Sequence, residues 1–128
     1  MFLRMSFACL AFTAIVGCSS PETVSDADKM NIDCLSAKTV MEITNAAKAA
    51  IVAGQSSAQL QKLQGTIIET GAETLSAKYL GNMHEAYYEF ETNRRLTAMQ
   101  NAVANRAPES PDQQVMDETI DLAKTCTF

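Results

Sequence analysis

Tryptophan is absent from this 128-residue chain, and histidine occurs once, at His84. Proline is nearly as scarce: of three, none lies between Pro21 and Pro108. Each shortage excludes something. A single histidine cannot furnish the repeated Glu-Xaa-Xaa-His pattern of a di-iron helical bundle, and a zinc site needs more imidazole or thiolate than is free here. Cys-Xaa-Xaa-Cys-His is missing, so haem has no covalent attachment point. Gly-Xaa-Ser-Xaa-Gly and glycine-rich phosphate loops are missing too, which removes the commonest signatures of hydrolases and nucleotide-binding enzymes. Basic residues number 10 against 15 acidic ones, for a net charge of −5. Such a surface repels nucleic-acid phosphates and anionic headgroups, so nucleic acid is not an expected partner. No apolar run approaches the roughly 20 residues a membrane-spanning helix requires.

What remains is the composition of helices: alanine is abundant and β-branched runs are short. In the first helix, from about Asp28 to Ala53, Ile32, Leu35, Val40, Ile43, Ala47 and Ile51 recur at helical spacing. Ser25 or Asp26 can cap its start, and Gly54 suits its left-handed end. A second helix begins after Ser56 or Ser57, with Ser56 and Gln59 at capping-box spacing. Its apolar set is Leu60, Leu63, Ile67, Ile68, Leu75 and Tyr79. Gly65 and Gly71 weaken it, or admit a neighbouring helix; a continuous or kinked helix is favoured over a break at Gly71. Gly81-Asn82 is the next possible break, before a third helix, about Met83 to Arg106, whose apolar candidates are Met83, Tyr87, Phe90, Leu96, Met99 and Val103; without that break the second and third helices would merge into one long rod. Ser110 and Pro111 open a last helix that runs to about Thr125. The expected fold is all-α, a small bundle of about four helices.

The N-terminal segment carries a motif. Arg4 is followed by an apolar run, Met5 to Val16, of signal-peptide length. Ile15-Val16-Gly17-Cys18 then resembles a bacterial lipobox. The resemblance covers residues 1–18 only. It implies a signal peptide over 1–17, a diacylated Cys18 at the mature N-terminus, a polar tether over 18–27 and a helical domain over 28–128. Ser19 and Ser20, with no aspartate after the cysteine, favour the outer membrane, with the domain facing the periplasm. Losing Arg4 makes the mature chain one charge more negative, so acyl chains rather than a basic patch would hold it; two chains suffice. Cys9 leaves with the signal and Cys18 is consumed by lipid. Cys34 and Cys126 remain, in an oxidising compartment, and a disulfide between them is expected.

Candidates for chemistry are few. His84, with Glu85, Tyr88 and Glu89, forms a polar cluster at the start of the third helix. It is a poor metal site; the simpler reading is a helix start with a charged face. A non-covalent haem would pair His84 with Met30, Met41, Met99 or Met116, but methionines at helical spacing are usually core filler. No cofactor is expected. Tyr87, Tyr88, Arg94 and Arg95 are candidate interface residues, since aromatics and arginine are favoured there. The alternative puts Tyr87 and Phe90 in the core, with Tyr88 and the arginines on an ordinary surface. The expected function is a non-enzymatic envelope lipoprotein: a binding or accessory module that meets the membrane through its anchor and an envelope protein through its surface. The runner-up is a bundle that binds haem or a metal near His84.

Overall fold

The computed structural model describes residues 24–105 and 109–128. The lipobox, Cys18 and the tether up to Thr23 lie outside them. Four helices make up the described chain: α1 (Asp26–Val52), α2 (Ser57–Ser76), α3 (Asn82–Asn105) and α4 (Pro111–Thr125).

The ends follow from local chemistry. The Ser25 hydroxyl accepts from the Asp28 amide at 3.1 Å, satisfying one of the free donors of the first turn. Beyond α1, Gly54 takes φ 78°, a left-handed conformation that suits glycine. Ser56 and Gln59 close a reciprocal capping box on α2. Ser110 caps α4, with Pro111 in its first turn. α2 runs unbroken through Gly71. The capping spacing of Thr70 with Glu73 is not used: the Thr70 hydroxyl instead donates back to the Thr66 carbonyl, inside the helix. α2 and α3 are separate helices.

Short connections make successive helices antiparallel. α1 packs against all three others and most extensively on α3, while α2 and α4 do not touch. The α1–α3 pair is therefore the centre, flanked by α2 on one side and α4 on the other. Two apolar clusters fill it. Val24, Ile32, Leu35, Leu75 and Tyr88 form one, at the end where the chain enters α1. Val40, Ile43, Ile67, Leu96 and Met99 form the other, further along. Buried alanines (Ala37, Ala50, Ala98, Ala102) let the helices approach closely. Val24 lies inside the expected tether, yet it is buried, so the folded body includes it. The expected Cys34–Cys126 disulfide is formed. It joins the third turn of α1 to the end of α4.

The two glycines of α2 play different parts. Gly71 is buried, and a Cβ there would run into the Tyr88 hydroxyl and lie 3.0 Å from Thr39 Oγ1. At Gly65 a Cβ would meet nothing within 4 Å. Opposite outcomes are expected in thermal melts. Gly71→Ala should cost about 1–3 kcal/mol through overpacking. Gly65→Ala should stabilise by up to about 1 kcal/mol, because alanine is the better helix former. Equal shifts for the two would contradict the close approach at Gly71.

Candidate functional site

The α3 face turned toward α1 is not the face that hydrophobicity alone selects. Tyr88, Thr92, Arg95, Met99 and Ala102 are buried, in alternating steps of four and three. The expected stripe through Met83, Tyr87 and Phe90 is rotated from this by about one residue, or 100°, and Phe90 is 63% exposed. Tyr88 and Arg95 were expected to face outward; the structure buries them, at 0% and 1% exposure. They are thus not available for direct contact with a partner.

Each burial has a partner that explains it. The Tyr88 hydroxyl donates to the Ile68 carbonyl at 3.1 Å and lies 3.0 Å from Thr39 Oγ1, whose hydroxyl can donate in return. Gly71 supplies the room, and burial raises the Tyr88 pKa. Arg95 Nη1 donates to Thr119 Oγ1 at 3.0 Å, and the Thr119 hydroxyl in turn donates to the Val115 carbonyl at 2.7 Å. Three carboxylates stand 3.7–3.9 Å away, namely Asp33, Glu91 and Glu118. These are charge contacts rather than hydrogen bonds, and Arg95 Nε has no partner among the described residues. Burial pushes the Asp33 carboxyl above the usual range, although Tyr87 donates to its Oδ1 at 2.9 Å. Tyr87 is half-buried; burial and Asp33 drive its phenol pKa well up, so it stays a donor. Arg94 is exposed and held by Glu91 at 2.6 Å, which raises its pKa. Arginine and three carboxylates drawn from α1, α3 and α4 thus make a joint between helices.

His84 sits at the α1 entry end. Its Nε2 lies 3.0 Å from Asp28 Oδ2, and its ring stacks on Tyr79 with centroids 4.7 Å apart. The His84 contact lowers the Asp28 pKa against the opposing effect of desolvation. Among the described residues, no three His, Cys, Asp or Glu side chains are grouped to hold a metal. Met41, Met99 and Met116 belong to the other apolar cluster, and Met30 is exposed, so no methionine is drawn to His84 in the core.

A hollow with a mostly apolar lining lies at the opposite end. α1 and α3 form a groove of 440 Å³ there, with α2 touching it only at Gln64. Ile43, Ala47 and Ile51 line one wall, and Leu96, Met99 and Val103 the other. A smaller hollow of 210 Å³ continues it beneath α2, floored by Leu60, Leu63 and Ile67. The groove exists because α2 leans on α1 and packs only sparingly against α3, while α4 lies on the far side. Ile51 and Val103 were read as core positions; both are more than half exposed on its rim. Lys48 is the only titratable group among the residues lining the larger hollow. An acid–base pair is therefore not available in it, but two apolar rows at helical spacing suit an extended or helical apolar segment. Periodicity did reveal these rows; nothing local could reveal that, among the described residues, no helix covers them.

Fold and site together define a disulfide-stapled four-helix bundle with an open apolar groove. Comparison with protein-family models, curated proteins and solved structures finds no match for the chain.

Proposed function

We propose that this chain is a non-enzymatic lipoprotein of the cell envelope. Cys18 carries the acyl anchor, the outer membrane is the favoured site, and the bundle faces the periplasm as a binding or accessory module. The observation that carries this reading is the Cys34–Cys126 disulfide, which belongs to an oxidising compartment and is the pairing left once the lipobox cysteine is set aside. The groove between α1 and α3 supports the binding half. Its lining is apolar, and it would take a hydrophobic segment of an envelope protein.

Anchoring is tested with labelled palmitate in cells making the full chain. Label should enter the wild type and be lost on Cys18→Ala; label that persists in the variant removes the anchor from this reading. The groove is tested with a photo-crosslinking residue at Val103, against a control at exposed Gln114 on α4. A discrete adduct from Val103 alone, in the native envelope, is the expected result. Equal yields at both positions would discard the groove as the contact surface.

A further inference from the structure

We infer that the end of the bundle bearing the α2–α3 turn rests on the bilayer, with Leu80 inserted into its interfacial layer. This rests on the anchoring reading above. Leu80 is 99% exposed at the tip of that turn, and Met83 beside it is half exposed. The turn is held firmly rather than hanging loose. His84 is bonded to Asp28 of α1, and Asn31 donates to the Tyr79 hydroxyl at 2.9 Å. These contacts put Leu80 at the same end as Val24, the first described residue, which packs in the cluster there.

The stretch from Cys18 to Val24 can span at most about 21 Å. An anchored body must therefore keep this end near the lipid, and among the described residues Leu80 is the most exposed large apolar group there. Two lysines frame it. Lys29 Nζ lies 5.8 Å from the Tyr87 ring centroid, and Lys78 Nζ lies 4.9 Å from that of Phe128. Lysines beside aromatic rings suit a headgroup layer, where the stem stays apolar and the ammonium reaches water. Asp26, Asp28 and Glu85 at the same end outnumber the two lysines, so the surface fits zwitterionic rather than anionic lipid. α1 is about 40 Å long, which places the apolar groove at its far end, facing away from the membrane.

The chain has no tryptophan, so Leu80→Trp and Val52→Trp each introduce a single reporter; both positions are almost fully exposed. Each full-length variant is produced with its anchor, purified and placed in phosphatidylcholine vesicles, and quenching by brominated phosphatidylcholine is measured. Trp at 80 should emit at shorter wavelength and be quenched at least threefold more than Trp at 52. Equal quenching in protein that carries palmitate and floats with the vesicles overturns the inference alone. Protein that neither takes up palmitate nor floats overturns the anchoring reading, and this inference with it.

Discussion

Replacing Cys34 and Cys126 together by alanine is expected to lower stability by about 4–5 kcal/mol, a drop in melting temperature of roughly 20 °C or more for a domain of this size. The bond closes a loop with a sequence separation of 92, so most of the chain is constrained when unfolded. Burial offers α4 little substitute. Thr119 is its one fully buried residue. Otherwise Met116 packs against the second apolar cluster, and two polar ties hold the helix: the Arg95 bond to Thr119, and Lys38 Nζ donating to the Ala123 carbonyl at 3.0 Å. Hydrogen exchange should therefore show α4 losing protection before α1 and α3. A double variant that melts within a few degrees of the wild type, with α4 still protected, would refute this account of the staple.

Arg95→Met is the second large loss, expected at about 2–4 kcal/mol. Removing one partner of a fully buried pair costs about 3–5 kcal/mol, because the other charge is left unpaired. The figure is reduced here because Glu118 is largely exposed and Glu91 keeps Arg94. Asp33 sets the pH dependence. Burial already holds its carboxyl above the ordinary value, and the loss of Arg95 takes away a cation that lowers it. An acid whose folded pKa is raised regains stability as pH falls through that pKa. The deficit of Arg95→Met should accordingly narrow between pH 7 and pH 4. Adding Asp33→Asn should recover part of it at pH 7, since the Asn side-chain carbonyl still accepts from Tyr87. A deficit independent of pH, and additive with Asp33→Asn, would show that Arg95 acts through packing alone.

Much of the fold was legible because its signals are local. Ser25, Ser56 and Ser110 cap helices within three residues of themselves, and Gly54 has its left-handed φ whatever surrounds it. Ile32, Leu35, Val40 and Ile43 lie on the buried side of α1, as their spacing requires. The α3 stripe was misread for a definite reason. Arg95 and the Tyr88 hydroxyl are polar, and a polar group is buried only where partners await it. Those partners are Thr119 of α4, Asp33 and Thr39 of α1, and the Ile68 carbonyl of α2. They lie 20 to 62 positions away along the chain, beyond the reach of any window of periodicity.

The candidate site divides in the same way. Ile51, Met99 and Val103 announced themselves as apolar positions on two helices. That Met99 is covered while Ile51 and Val103 rim an open groove depended on where α2 leans.

By itself the chain determined four helices with their ends, and two cysteines left over to join the first to the last. Backbone propensity and capping act across one or two turns, and such information survives in a linear string. Only the tertiary structure decided which face of α3 turns inward, which glycine receives the tyrosine and which apolar rows stay open. Those outcomes are set by complementary groups brought together from distant helices, and no residue carries that information alone.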